Sequence, residues 1–466
     1  MTFNADQLRR RLLELQGDGP VSRYLVGFSG GLDSTVLVHA LKRAVAEGVP
    51  VVAVHINHGL HPDADAWEEH CRHITAKLKV EFFSRHVEVK DHGGAGIEAA
   101  ARAKRYAAIK ELMQGGDVLL SAHHEEDQAE TLLLNLMRGS GLAGLAAIGA
   151  RQPFGPGLLI RPMLSVPRAD IERYARDSGL AWVEDPANAD PRFDRNFLRR
   201  EILPRLRLRW PAASRRLANS AGLAGEAAGL QDDLARLDLA SLLHSPADVG
   251  PEEQAPNSAR HAPGRLGIEG LRRLTPARQR NVLRFAIRAC GLPQAPATRL
   301  RQVQDELLGA REDAVPLVAW RGAEVRRFRQ KLYLLAERMF EPCEEDAAPL
   351  LTGDGRAINV GSALGTLRLQ PLSPHEGAGI DPLLVAKGLG LKFRTGGERI
   401  RPYGRKETRP LKKLLQEQGV VPWMRQYVPL LYTGETLAAV ADLWIAADCA
   451  REGGFRVCWE GKPSIF

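Results

Sequence analysis

Cysteine is scarce in this chain of 466 residues. Its five copies, Cys71, Cys290, Cys343, Cys449 and Cys458, include no C-x-x-C pair. An odd, scattered set excludes a disulfide framework and supplies neither a redox pair nor a zinc ribbon. Reduced thiols in a cytoplasmic protein are the simplest expectation. Long apolar runs are missing as well, since nothing reaches the ~18 residues that a bilayer span requires. The first six residues lack a basic segment leading into an apolar one, so no secretory signal is expected. The chain also lacks G-x-x-x-x-G-K-S/T, the phosphate loop of kinases and GTPases. It shows no repeat of solenoid period.

What is present is ordinary in bulk and specific in detail. With 44% hydrophobic and 26% charged residues, the composition is that of a folded protein. The length allows roughly three domains. A net charge of +8 hints at an anionic partner, and its placement along the chain says more than its size.

The first two hundred residues alternate strand-like and helix-like segments. Strands are expected over 22–28, 51–56, 80–89, 118–122 and 158–160, and helices over 34–47, 65–79, 97–113 and 128–138. The run Val51-Val52-Ala53-Val54-His55-Ile56 is continuous and β-branched, as suits a strand buried in a parallel sheet. The expected fold class is α/β: a doubly wound parallel sheet of Rossmann type over 1–212. A mainly helical middle domain over 213–340 and a small α+β domain over 350–466 follow. A polar, Pro-rich stretch over 244–265 reads as a loop. Ligands of doubly wound sheets sit beyond the carboxyl ends of the strands, which singles out the loops there.

The first such loop is Phe28-Ser29-Gly30-Gly31-Leu32-Asp33-Ser34-Thr35. Two glycines let the backbone turn tightly against a ligand. The hydroxyls of Ser29 and Ser34 and the free N–H groups of a helix start favour an anion. Asp33 is placed to orient the loop or to hold Mg²⁺ on a bound pyrophosphate. The bland alternative is a capped strand-to-helix turn. The motif resembles the PP-loop of N-type ATP pyrophosphatases, which cleave ATP between the α and β phosphates.

Further motifs follow in order. They are His55-Ile56-Asn57-His58-Gly59, Glu98 to Tyr106 with Arg102 and Arg105, and His124-Glu125-Glu126-Asp127-Gln128-Ala129-Glu130-Thr131. Then come Arg138-Gly139-Ser140-Gly141, Glu184 to Asp190, and Arg195-Asn196-Phe197-Leu198-Arg199. Near the C-terminus stand Arg394 to Ile400 and Leu411-Lys412-Lys413-Leu414-Leu415. In this order the set resembles the tRNA(Ile)-lysidine synthetase family in its long, three-domain form, over nearly the whole chain. One position departs: the family usually has two adjacent aspartates where this chain has Glu126-Asp127. The resemblance implies an ATP-dependent ligase that joins L-lysine to C2 of the wobble cytidine of a CAU-anticodon tRNA(Ile). The base is adenylated first, pyrophosphate and AMP leave in turn, and decoding switches from AUG to AUA. It implies ATP bound by Ser29, Gly30, Gly31, Leu32, Asp33, Ser34 and His58, with Mg²⁺ required. It also allows a homodimer.

The residues can be weighed against that chemistry. A lysine ε-amine has an ordinary pKa of about 10.4, so the nucleophile arrives as a cation and must lose a proton. Carboxylates serve both needs. Asp127 and Glu130, three apart at a helix start, share a face, and with Asp33 they are the catalytic candidates. Arg102, Glu126 and Asp127 are assigned to lysine and cytidine. Acids complementing the helix dipole are the alternative. His55, His58, His61, His123 and His124 fit no standard zinc spacing. Arg195, Arg199 and Arg205 lie in a dense basic segment with aromatic residues interleaved, and Arg399, Lys412 and Lys413 in a second. Two separated basic surfaces suit a long RNA, and these six are the expected tRNA contacts. No membrane contact is expected. Another PP-loop enzyme such as a tRNA thiolase, or a non-catalytic tRNA-binding protein, stays open as an alternative; a thiolase would need the cysteines this chain lacks.

Overall fold

The structure, a computed structural model, describes residues 3–45, 48–89, 97–184, 192–243, 264–311, 314–337, 340–343, 350–373 and 375–463 (97–99 and 243 by backbone only). Most of the loop expected over 244–265 and the motif from Asp185 to Asp190 lie outside these residues. Two compact units divide at Gln231 and Asp232. That point falls inside the helix Ala213–Leu243, not at the expected boundary after 212.

The first unit is built on six strands in the order β3-β2-β1-β4-β6-β5. These are β1 (Arg23–Gly27), β2 (Val51–Asn57), β3 (Glu81–His86), β4 (Asp117–Leu120), β5 (Arg151–Phe154) and β6 (Gly157–Ile160). All neighbours run parallel except β5, which pairs antiparallel with β6 at the edge. Every residue of β2 and of β4 is buried, which explains their unbroken apolar character. The register Tyr24↔Val51 on one side of β1 and Arg23↔Asp117 on the other places β1 at the centre. The chain winds away from β1 in both directions, so the switch point opens between the carboxyl ends of β1 and β4.

Five helices accompany these strands in chain order: α1 (Ala5–Gln16), α2 (Leu32–Ala44), α3 (Ala64–Leu78), α4 (Ile97–Leu112) and α5 (Glu125–Met137). Helix α2 buries ten of its residues, from Leu32 to Ala44, so the loop leading into it has a rigid base. Its core includes Val26 of β1, Val36 and Leu37 of α2, and Leu120 of β4, all fully buried, whereas Leu25 of β1 belongs to a separate cluster with Val54, Ile109 and Leu119.

In the second unit a four-stranded antiparallel sheet, β7 (Arg265–Gly267), β10 (Lys331–Ala336), β9 (Ala323–Phe328) and β8 (Leu317–Trp320), packs with the helix Pro276–Ala289 and its neighbours around Leu283, Ile287, Leu300 and Leu332. The C-terminal part is rich in strands. A six-stranded and a four-stranded sheet enclose a core of Leu367, Leu391, Leu414 and Leu431, with the short helix Leu411–Glu417 as a main helical element.

Candidate active site

The PP-loop leaves β1 and closes on itself before α2 begins. Ser29 Oγ and Ser34 Oγ lie 3.1 Å apart, the Ser29 N–H donates to Ser34 Oγ at 3.3 Å, and Ser34 Oγ donates to the Gly31 carbonyl at 3.0 Å. Gly30 needs to be glycine twice over. Its φ is +78°, and a Cβ there would stand 2.8 Å from the Cys71 sulfur. The Gly30 carbonyl accepts from the Val183 N–H at 2.9 Å. The loop thus presents its N–H groups and hydroxyls at the start of α2, where the helix dipole favours an anion.

Asp33 stands in the first turn of α2 with its side chain 30% exposed. Its Oδ1 is nonetheless sealed from solvent and has no hydrogen-bond partner. Burial raises its pKa, although the His124 and Arg168 charges oppose this. A carboxylate oxygen left without a donor in a phosphate-binding loop is what a bound cation would satisfy. Asp33 is therefore the residue of this loop that would hold Mg²⁺.

Across the crevice, α5 starts at the end of β4. His124, its N-cap residue, is 1% exposed and sits among three acids. Its Nδ1 lies 3.1 Å from Glu126 Oε2, and its Nε2 lies 3.5 Å from Asp127 Oδ2 and 3.7 Å from Asp33 Oδ2. Burial alone would lower its pKa, but Asp127, Glu126 and Asp33 prevail and raise it. The imidazole stands between the loop acid and the helix acids, which favour its protonated form. Asp127 Oδ2 also accepts from the His124 backbone N–H at 3.0 Å. Burial opposes its ionisation, yet His124, His123 and Arg195 bring its pKa down to about 2. Glu126 is held low against burial by His124 and by the Arg168 N–H, which donates to it at 3.0 Å. The longer arm of Glu126 thereby spans from α5 to the start of the helix Arg168–Asp177.

Glu130 is fully buried, one turn along α5. Arg195 Nε donates to its Oε2 at 3.0 Å, and Arg199 donates through Nε to Oε1 at 2.7 Å and through Nη2 to Oε2 at 2.9 Å. Arg199 Nη2 also donates to Asp127 Oδ1 at 3.2 Å. Both arginines belong to a helical segment whose middle, Leu198–Ile202, is a π-helical turn between Asp194–Phe197 and Leu203–Arg209. Such turns are frequent at functional sites. Here it lies where one face of the segment must send two guanidiniums to a single carboxylate.

Two of the expected RNA contacts lie against these acids. Arg195 and Arg199, 27% and 29% exposed, point into the acidic helix and neutralise it. Burying Glu130 without them would be costly. Arg205 stays outside, 77% exposed, with Glu201 at 3.5 Å. Arg207 joins the inner set, donating to Glu126 Oε1 at 3.2 Å and to Ser214 Oγ at 2.8 Å. His58 lies half-buried just beyond the end of β2, its Nδ1 accepting from the Leu60 N–H at 3.4 Å. Arg102 is exposed on α4, its guanidinium carbon 5.3 Å from the centre of the Tyr106 ring. In the other unit, Arg399 is exposed and donates to the Thr408 carbonyl at 3.2 Å. Lys412 and Lys413 are exposed on Leu411–Glu417 and have no acidic partner among the described residues, whereas Glu417 takes Arg409 at 2.6 Å.

The sequence reading did not connect Arg168 or Arg207 with these acids: Arg168 meets Glu126 through its backbone N–H, and Arg207 lies in the basic segment with nothing local to show that it turns inward. A second group with metal-ligand atoms, Asp65, Glu68 and His86, lies on α3 and β3. Asn57 Nδ2 donates to Asp65 at 2.9 Å and to Glu68 at 3.2 Å, and Arg72 also pairs with Glu68. Those acids are already satisfied within the fold.

The comparisons agree with this layout. Residues 4–206 match the PP-loop domain family, 266–333 the TilS substrate binding domain and 389–459 the TilS substrate C-terminal domain. The chain is 42% identical over 465 residues to a tRNA(Ile)-lysidine synthase of Alkalilimnicola ehrlichii, covering 99% of this chain and 98% of the relative. It is 40% identical over 434 residues to the tRNA(Ile)-lysidine synthase of Methylococcus capsulatus (92% and 94% covered) and to that of Coxiella burnetii (93% and 91% covered). With a PP-loop over the switch point, two further matched domains later in the sequence and this identity over its whole length, the chain belongs to the tRNA(Ile)-lysidine synthase family.

Proposed function

We propose that this protein uses ATP to join L-lysine to C2 of the wobble cytidine of a CAU-anticodon tRNA(Ile), forming lysidine. The observation that carries the reading is the meeting, through His124, of a phosphate loop and an acidic helix. The first half of the reaction needs an anion cradle, and the second needs a place for a cationic amine. The cytidine O2 attacks the α-phosphate of ATP, and pyrophosphate leaves. The lysine ε-amine then attacks C2 of the adenylated base, AMP leaves with the O2 oxygen, and the amine loses its proton.

The PP-loop N–H groups with Ser29 and Ser34 bind the ATP phosphates, and His58 lines the nucleotide side. Mg²⁺ held at Asp33 would neutralise the pyrophosphate. A carboxyl group with a pKa of about 2 is a poor proton acceptor at neutral pH. Asp127 is therefore an anchor for the lysine cation rather than its base. Glu130, closed off by Arg195 and Arg199, acts as a positioning residue that fixes those guanidiniums against Asp127. Arg205, Arg399, Lys412 and Lys413 remain outward-facing contacts for tRNA phosphates. A tRNA thiolase is disfavoured because the unit that carries the PP-loop holds a single cysteine, the buried Cys71, whose pKa burial raises to about 12.

The test is pyrophosphate release measured with each substrate omitted in turn. Release that requires the tRNA, with AMP formed only when lysine is added, supports the reading. AMP formation that is indifferent to lysine would refute it.

A further inference from the structure

Glu126 is the position at which this chain departs from the usual aspartate, and its extra length has a use. The side chain is 13% exposed. Its Oε2 accepts from the His124 imidazole, whose Nδ1 lies at 3.1 Å, and from the Arg168 backbone N–H at 3.0 Å. Its Oε1 accepts from Arg207 Nη2 at 3.2 Å. A carboxylate offers about four acceptor positions, so protein donors already fill most of them. A group so engaged has little left for a substrate.

The links continue on both sides of Glu126. Arg207 also donates to Ser214 Oγ, through Nη2 at 2.8 Å and through Nε at 3.1 Å. Ser214 is buried in the first turn of the helix Ala213–Leu243, within which the first unit ends. On the other side, His124 Nε2 faces the crevice, 3.5 Å from Asp127 Oδ2 and 3.7 Å from Asp33 Oδ2. An imidazole pinned at Nδ1 cannot turn that edge away. The bonds to Glu126 are of ordinary length and leave no slack. A carboxylate drawn back by one methylene, about 1.5 Å, would not stay bonded to His124, Arg168 and Arg207 together.

We propose that Glu126 is a positioning residue and not a substrate ligand: it is the hub of a relay, Ser214–Arg207–Glu126–His124, that sets the imidazole between Asp33 and Asp127. The proposal rests on the lysine-transfer reading above, in which Asp33 serves the ATP side and Asp127 the lysine side. A hub needs reach, whereas a ligand for the lysine cation needs charge. Two substitutions separate these needs. Glu126→Gln keeps the length and loses the charge, and its carbonyl oxygen can still accept from His124 and Arg168. Glu126→Asp keeps the charge and loses the length.

The test is lysidine formation by the full chain at varied ATP, lysine and tRNA. A wild type that makes no lysidine refutes the underlying reading and the relay with it; every other outcome bears on the relay alone. Given an active wild type, Glu126→Asp should lower kcat about 10-fold, as for one lost charge-assisted hydrogen bond, while the KM values for ATP and lysine stay within about 2-fold. Glu126→Gln should lose less. Arg207→Gln should match Glu126→Asp, and the double variant should be no worse than the poorer single one, because both changes break one chain of bonds. Ser214→Ala should move kcat the same way by a smaller factor. Full activity of Glu126→Asp, or a raised lysine KM in Glu126→Gln, makes Glu126 a charged ligand and overturns the proposal. Additive losses, or a raised tRNA KM in Arg207→Gln, overturn it by removing Arg207 from the chain. Should Glu126→Asp or Arg207→Gln not fold, as judged by circular dichroism, Ser214→Ala decides: a lower kcat at unchanged KM values supports the relay, and an unchanged kcat overturns it.

Discussion

Two basic segments of this chain handle charge in opposite ways. Around the π-helical turn at 198–202, Arg195, Arg199 and Arg207 turn inward to Glu130, Asp127 and Glu126. On the helix Leu411–Glu417, Lys412 and Lys413 face water with no acid beside them among the described residues. The chemistry of the side chains suits the division. A guanidinium grips a carboxylate with two parallel donors and tolerates partial burial, whereas an ammonium is a strongly hydrated point charge. The inner set holds a buried acidic helix together. The outer set is the one proposed above to meet tRNA phosphates.

The contrast is sharpest where a variant should affect one set alone. The largest effect is expected from Asp127→Asn, which removes the proposed anchor for the lysine cation. Lysine transfer should fall by at least about 100-fold, read as lysidine formed per unit time, with the fold intact by circular dichroism. Next comes Arg199→Ala, which leaves buried Glu130 with one partner. Denaturant unfolding should show a loss on the order of 3 kcal/mol. The paired change Lys412→Ala with Lys413→Ala should alter stability by no more than about 0.5 kcal/mol. It should instead weaken tRNA binding, with the slope of log affinity against log salt reduced by roughly 0.7 to 0.9 for each phosphate that is no longer neutralised. An unchanged slope would remove these lysines from the RNA surface.

The smallest effect concerns His124. Its pKa is raised in the folded protein, so its pairing with Asp127, Glu126 and Asp33 stabilises the fold fully below the ordinary histidine value. That contribution is lost as the pH climbs through the raised value. The complementary contributions of Asp127 and Glu126, whose pKa values are lowered, are lost only as the pH falls below the ordinary carboxylate range. The Tm difference between wild type and His124→Gln should therefore be largest between about pH 5 and 6 and narrow above neutrality. A gap that widens with rising pH would contradict this charge assignment.

How much of this was legible in the chain depended on the range of each interaction. The PP-loop is a local device, with strand, glycines and helix start consecutive, and it folds as its residues suggest. The buried strands β1, β2 and β4 announce themselves through continuous apolar runs. The edge strand β5 does not: Arg151-Gln152-Pro153-Phe154 is polar, contains a proline and is largely exposed, as edge strands permit. Inward and outward arginines look alike in a sequence, because the pairing of Arg195 and Arg199 with Glu130 spans 65 and 69 residues. Density of charge is local information, whereas its partner is not. The buried Arg161 is illegible for the same reason, since it donates to a backbone carbonyl twelve residues away.

The measurement that bears most directly on the account is mass analysis of nucleosides from a CAU-anticodon tRNA(Ile) incubated with this protein, ATP, Mg²⁺ and lysine. The account predicts that cytidine is converted to a nucleoside heavier by one lysine less one water, at the wobble position alone and only when ATP is present. An unmodified wobble cytidine under those conditions, or a sulfur-containing product in its place, would contradict it.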